Sequence, residues 1–315
     1  MSEFMIPTGI ESNPEQEQEE TRLSRYVGGP AHVHTTESSR WGYVEGELTL
    51  GEQITYLNEH VYAGDPEISN RFLALGEHTS NPGSPERLSE ADPIVLSLET
   101  QRQHIDSLKA ETGFALFTGV EANILPDGNI DIPPSLAEKL DLVIASRHAL
   151  PHDIEKMPSE IVRTLTTPMT DGNVDVIGHP NRFTWDVEGV DWPAIFEAAK
   201  QSNTAIEVNA SVFPILNAEA DHQHYDQAIE WWRGWLSQLA ESGAPVFFGA
   251  DFHQFRPLQG GEQPTSDRLQ SGPGTKMLLR FSRLAKILEE VGITPERGIT
   301  TRADKLKQGL ETPKD

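Results

Sequence analysis

Short continuous apolar runs alternate along this chain with longer segments in which apolar residues recur every three or four positions. Seven runs have the first character: 31–34 (AHVH), 72–78 (FLALGEH), 114–121 (FALFTGVE), 140–148 (LDLVIASRH), 174–180 (VDVIGHP), 205–209 (AIEVN) and 246–253 (VFFGADFH). Each stays largely apolar until its last residues, the pattern of a strand buried on both faces of a parallel sheet. The longer segments predict helices. Asp92 and Pro93 supply an N-cap and a first-turn proline, Ile94, Leu98, Ile105 and Leu108 a stripe, and Gly113 a stop. Thr49 and Glu52 form a capping box ahead of Ile54, Leu57 and Val61. Further helical patterns cover 194–199, 225–239 and 277–288. Strands alternating with helices imply parallel βαβ units. The Gly/Pro-rich stretch 255–275 predicts a long loop after the last strand, a length usually given to lids or mobile connections.

The strand ends carry different chemistry from the runs themselves. His32, His34, His78, His148, His179 and His253 stand at or just past the C-terminal ends of the predicted strands, as do Glu121 and Asp251. Residues two apart on a strand share a face, which holds for His32 and His34, Glu207 and Asn209, and Asp251 and His253. Successive strand ends are 27 to 44 residues apart, about one βα unit each. Seven strands therefore bring these groups to one rim of a barrel, the face where barrel enzymes place their chemistry. Buried together, Glu121, Asp251 and Glu77 would carry a large desolvation penalty. Two or three divalent cations would offset it and use the imidazoles as ligands. A lone histidine at a strand end is an ordinary hydrogen-bonded residue; the convergence is what points to metal. Histidine and carboxylate without thiolate suit Zn, Mn or Fe.

Other residues carry weaker signals. Arg182, just past the His179-Pro180 pair, is placed to fork onto a phosphate. Arg147 alternates towards the helices. His222 and His224 repeat the His-x-His spacing in a polar helix start, and read as surface residues with His60, His104 and His152 in helices or loops. Trp231, Trp232 and Trp235, at helical spacing, predict packing.

Composition narrows the class. The 315 residues, 37% hydrophobic and 23% charged, suit one barrel domain of roughly 250 residues plus tails. The first 20 residues hold six glutamates and no lysine or arginine, so 1–26 is expected to be a solvated, disordered tail ahead of a barrel spanning 27–310. A net charge of −24 argues against a nucleic-acid partner and against docking on an anionic membrane. Without cysteine there are no disulfides and no thiolate ligands. No apolar run approaches the ~20 residues of a membrane span, and MSEFMIPTGI has no basic leader, so a cytoplasmic protein is expected.

The motifs, in this order, resemble those of the PHP (polymerase and histidinol phosphatase) superfamily. AHVHT is similar to its HxHT motif, LGEHTSNPG to its second motif, FTGVEAN to the metal-bridging glutamate motif, IASRH and VIGHP to two single-histidine motifs, and GADFH to the final Asp-x-His. The resemblance runs from Val27 to His253. It implies a single distorted (β/α)7, TIM-like barrel with up to three divalent metals at the C-terminal rim. It also implies a ligand set: His32, His34, Glu121 and Asp251 for one ion, Glu121, His148 and His179 for a second, His78 and His253 for a third. Two positions depart from the family pattern. Glu77 stands where aspartate usually precedes the second-motif histidine. Ser39 and Arg40 stand where the first motif supplies an aspartate or histidine, leaving Glu37 nearby, so the third ion is expected to bind more weakly.

The function this implies is metal-dependent hydrolysis of a small-molecule phosphate monoester. Water between two ions about 3.5–4 Å apart would be the nucleophile. Arg182 would help neutralise the phosphoryl oxygens, and Asp251 or a histidine would shuttle the proton. An amidohydrolase barrel would need a bridging lysine where Glu121 stands. A PHP-type nuclease acting on DNA ends and a non-catalytic metal-binding regulatory barrel are the alternatives.

Overall fold

The computed structural model describes residues 31–35, 49–56, 72–81, 85–112, 115–148, 150, 156–170, 172–182, 184–214, 222–249, 251 and 284–294. The expected tail (1–26), loop 255–275, Glu37, Ser39, Arg40, His60, His152 and His253 lie outside them. The strands are β1 (Ala31–Val33), β2 (Phe72–Leu75), β3 (Glu77–His78), β4 (Ala115–Phe117), β5 (Gly119–Asn123), β6 (Leu142–Ser146), β7 (Val176–Gly178), β8 (Ala205–Asn209) and β9 (Val246–Gly249). The helices are α1 (Leu50–Tyr56), α2 (Pro93–Thr112), α3 (Pro134–Ala137), α4 (Pro158–Thr166), α5 (Trp192–Ser202) and α6 (His222–Ser242), followed by α7 over 284–290. Among the described residues no helix is long and apolar enough to cross a membrane.

Among the described residues every ladder is parallel, and the strands fall into two sheets, β1-β2-β4 and β3-β5-β6-β7-β8-β9. Seven predicted strands thus become nine, because runs 72–78 and 114–121 each break and pass from one sheet to the other. The first break falls at Gly76, whose N–H donates to the Val33 carbonyl at 2.9 Å. The second falls at Thr118, whose N–H and hydroxyl both donate to the Asp141 carboxylate, at 2.9 and 3.0 Å. Glycine is required just after it: a Cβ on Gly119 would lie 2.1 Å from the Leu75 carbonyl oxygen.

Strand alternation explains why the runs are continuously apolar. In β6, Val143 and Ala145 join the large core that includes Ile195, Phe196 and Leu239 of the helices. Leu142 and Ile144, on the other face, join Ala74, Val176, Ala205 and Phe247 in an inner cluster drawn from both sheets. Both faces are buried, so neither demands polar residues.

Helix ends follow local chemistry. Thr49 and Glu52 form the expected box: Thr49 N–H donates to Glu52 Oε2 at 2.8 Å, and Glu52 N–H to Thr49 Oγ1 at 3.3 Å. The carbonyl of Asp92 accepts from Leu96 N–H, as an N-cap's should, but its carboxylate turns back to the Ser89 N–H and hydroxyl. Trp192 and Phe196 of α5 pack on Trp231 and Trp235 of α6, as the helical spacing predicts; Trp235 is 2% exposed. The Pro158–Thr166 helix and the 3-10 turn that follows it (Thr167–Thr170) were not anticipated from the sequence.

Candidate metal centre

Parallel strands all present their C-terminal ends to one side, and the polar residues collect there. His32 and His34 lie in and just past β1, His78 ends β3, and Glu121 is central in β5. His148, His179 and Asp251 follow β6, β7 and β9 within two residues. Seven of the eight predicted metal ligands therefore come together; the eighth, His253, is outside the described residues. Glu121, at 0% exposure, is the hub. Its Oε1 is 2.7 Å from His179 Nε2, 3.1 Å from His148 Nε2 and 3.4 Å from His32 Nε2. Its Oε2 is 3.0 Å from His78 Nδ1 and 3.6 Å from His34 Nε2. Asp251 Oδ1 closes the group, 3.4 Å from His34 Nε2 and 4.0 Å from His32 Nε2.

Among the described residues two sets have ligand atoms within 4.8 Å of one another: His32, Glu121, His179 and Asp251, and His34, His78 and Glu121. Both contain Glu121, the bridging position. The donor chemistry fits a divalent ion. His32 Nε2, His148 Nε2 and Glu121 Oε2 are buried without a hydrogen bond, a condition that costs stability unless something else satisfies them. A lone pair on His148 Nε2 facing a carboxylate oxygen at 3.1 Å calls for a cation or a proton between them.

Electrostatics divide the cluster. Burial opposes ionisation of Glu121, but His148, His32 and His78 outweigh it and hold its pKa well below the ordinary carboxylate range. Burial likewise opposes protonation of His32, yet Glu207 and Glu121 hold its pKa well above the usual imidazole value. For His148 burial wins, and its pKa is lowered despite Glu121.

A second layer orients the ligands. Glu207 Oε1 is 2.7 Å from His32 Nδ1, while its Oε2 accepts the His179 N–H at 2.5 Å, so one carboxylate sets two ligands. Gly249 makes room for it: a Cβ there would lie 1.7 Å from Glu207 Oε1. His148 Nδ1 is 2.7 Å from Asn123 Oδ1. Such partners fix ring orientation and tautomer in metal sites. Alternation had placed Glu207 and Asn209 on the site side; the role of Asn123, two residues past Glu121, had the same signal and was missed.

Glu77 belongs to neither of the two ligand sets. It accepts the Thr35 N–H and hydroxyl and the Gln101 Nε2, tying the end of β1 to α2. The guanidinium of Arg182, 39% exposed, donates to Asp251 Oδ2 at 3.3 Å. Ser211, which the sequence reading passed over, places its hydroxyl 3.1 Å from the same oxygen. Arg147 is buried and His104 exposed. His222 and His224 begin α6.

The backbone is strained here. Four non-glycine residues among those described have positive φ: His32 (59°), His179 (24°), Asp251 (47°) and the helix-capping Asn203 (57°). Three of the four are ligand candidates, as expected where local strain serves a site.

Fold and site together define a class: parallel α/β proteins with a buried histidine–carboxylate centre, built on strand ends and able to hold divalent metal. No protein-family model matches the chain. It is 37% identical over 237 residues to the DNA polymerase/3'-5' exonuclease PolX of Bacillus subtilis (strain 168), covering 74% of this chain and 35% of that protein. It is 28% identical over 204 residues to the protein named probable phosphatase YcdX of Escherichia coli O81 (strain ED1a), covering 64% and 69%. The chain thus spans about a third of the polymerase relative and about two thirds of the phosphatase relatives. The structure of histidinol phosphate phosphatase from Lactococcus lactis subsp. lactis Il1403, complexed with zinc, L-histidinol and phosphate, matches with a TM-score of 0.54 at 13% identity. That match covers 87% of this chain and 95% of that one, so the two share a fold. These similarities agree with the resemblance to the PHP superfamily that the motifs carry.

Proposed function

We propose that this protein is a metal-dependent phosphoesterase that hydrolyses a phosphate monoester of a small molecule. The observation that carries this reading is Glu121: one buried carboxylate with five imidazole nitrogens within 3.6 Å. The phosphatase names among the relatives support it. In this reading the strands close into a distorted (β/α)7 barrel, supported by an inner apolar cluster that draws on both sheets. Two to three divalent ions, of Zn, Mn or Fe, would be held by His32, His34, His78, Glu121, His148, His179, Asp251 and His253.

Bound there, the ions would supply Lewis acidity, making water more acidic and neutralising phosphoryl oxygens. The chain's own groups do the rest. Glu121 holds the imidazoles in one constellation, and Glu207 and Asn123 keep His32, His179 and His148 in their orientations. Arg182, at the exposed edge of the site, would steady a phosphoryl oxygen. Asp251, held through Oδ2 by Ser211 and Arg182, would take the proton of the attacking water and pass it to the leaving alkoxide.

The polymerase relative favours a second reading, cleavage at DNA 3' ends; a net charge of −24 speaks against it. The test is elemental analysis of protein prepared without chelator, then assay of the metal-loaded protein on phosphorylated metabolites and on end-labelled DNA. At least two equivalents of metal and turnover of a small monoester are expected. Below one equivalent after reconstitution, the metal reading fails. Metal-loaded protein that degrades only DNA makes it a nuclease, and protein inert to both is a regulatory barrel.

A further inference from the structure

We propose that Asp131 is a positioning residue: acting through Asn123, it sets which nitrogen of His148 carries the proton, and so whether His148 can take a metal. The inference rests on the metal reading above, but concerns residues that touch no ion themselves.

Asp131 follows the turn after β5 that is closed by the Ile124–Ile130 bridge, with Gly128 at φ 88°. Its backbone is pinned on both sides. Its N–H donates to the Asn123 carbonyl at 3.0 Å, and its carbonyl accepts from Leu88 N–H at 2.7 Å. The carboxylate is 0% exposed. Thr79 Oγ1 approaches both its oxygens at 2.8 Å, and Ser80 Oγ reaches Oδ2 at 2.5 Å. Asn123 adds its backbone N–H at 3.0 Å and its side-chain Nδ2 at 2.8 Å. Burial raises the pKa of this carboxyl, and each of these partners can donate to it and so offsets part of that cost.

That carboxylate decides how the Asn123 amide lies. Asn123 Nδ2 is surrounded by acceptors: Asp131 Oδ2, Ser80 Oγ at 3.0 Å and the Ser80 carbonyl at 3.3 Å. Flipping the amide would aim its oxygen at those acceptors, so Oδ1 is left facing His148 Nδ1 at 2.7 Å. An amide oxygen only accepts, and therefore Nδ1 carries the proton. A neutral imidazole has one N–H, so Nε2 keeps its lone pair, aimed at the side of Glu121 where metal would sit. Thr79 and Ser80 directly follow His78, so the same carboxylate anchors the strand end that carries a second ligand.

In Asp131→Asn, an NH₂ group replaces one acceptor oxygen and opposes the Asn123 NH₂. The Asn123 amide then flips, offers NH₂ to His148 Nδ1, and drives the proton to Nε2. The test is long-range ¹H–¹⁵N correlation of histidine-labelled, metal-free full-length protein near neutral pH, with zinc titrated by calorimetry. Wild type should show His148 protonated on Nδ1. Asp131→Asn should lose that tautomer and bind the zinc that His148 would help hold about 10–100-fold less tightly, the usual effect of an outer-shell partner. Swapping the pair, Asn123→Asp with Asp131→Asn, restores an acceptor at Nδ1 and should rescue both readouts. Thr79→Val removes one donor to the same carboxylate and should leave the tautomer unchanged. Should Asp131→Asn fail to fold, Asn123→Ala removes the acceptor directly and must lose the tautomer. An Nδ1–H signal retained in folded Asp131→Asn, or a folded swap without rescue, overturns the proposal. Wild type that shows the tautomer pattern but binds no zinc would overturn the metal reading, and with it the metal consequence drawn here, while the tautomer assignment stands.

Discussion

Two buried regions of this molecule are built on opposite terms. Between α5 and α6, Trp192, Phe196, Trp231, Trp232 and Trp235 pack ring against ring, with centroids 5.6 to 6.3 Å apart. At the strand ends, five imidazoles and two carboxylates are crowded as closely, several of their atoms without a hydrogen bond. The first region gains stability from every contact it makes. The second is held in place by its surroundings, and its ion-free form is a local loss. Stability and chemistry are therefore separable here.

The largest expected effect is on activity alone. Glu121→Gln should cut hydrolysis by more than about 100-fold, beyond what outer partners alone contribute. The metal-free melting temperature should move by no more than about 4 °C, the equivalent of roughly 1 kcal/mol. A variant that unfolds instead would place Glu121 among the structural residues and erase the contrast. Trp235→Ala is the converse. Losing a buried indole should cost about 3–5 kcal/mol, while protein that remains folded keeps its full metal content, read by calorimetry and elemental analysis.

Gly249→Ala joins the two regions. Its methyl group would collide with Glu207 Oε1, costing about 1–3 kcal/mol of overpacking and about 10–100-fold in metal affinity as His32 and His179 lose their support. If metal affinity is unchanged, Glu207 is not an orienting group.

Proton counting sharpens the picture further. His32 is held above its unfolded pKa, so its pairing stabilises the metal-free protein fully below about pH 6.5 and fades as pH rises through the folded value. Glu121 runs the other way: its contribution is present above about pH 4.3 and lost as pH falls through its lowered value. Metal uptake near pH 7 should therefore release a proton from His32. Indicator dye should record less release in Glu207→Gln; equal release would assign the proton elsewhere. The smallest effect is reserved for His222→Ala with His224→Ala, which should leave activity and metal content unchanged. If that double variant is the inactive one, the wrong His-x-His has been chosen.

Much of this was legible in the sequence, because burial on both faces leaves an unbroken apolar run wherever a strand lies. The positions of the imidazoles at the run ends followed from that. The breaks at Gly76 and Thr118 did not, since FLALGEH and FALFTGVE read straight through them and the change of partner strand is a tertiary feature. The Pro158–Thr166 helix was hidden by its threonines, which back-bond to carbonyls of the preceding turn and lower helical propensity. At the centre, the atoms that could touch metal were visible as residue types. The groups that orient them were not, because Asn123 and Asp131 are ordinary loop-and-strand polar residues until the fold brings His148 and Ser80 to them.

The left-handed backbone at His32, His179 and Asp251 has a consequence for any attempt to select better versions of this protein. Holding a residue with a Cβ in that region costs about 1–3 kcal/mol, which glycine would largely avoid. A library screened for heat resistance in the absence of metal should thus enrich glycine at these three positions. The same library screened for turnover should discard it at all three. The gap between the two enrichment profiles would mark, residue by residue, where the chain trades durability for chemistry.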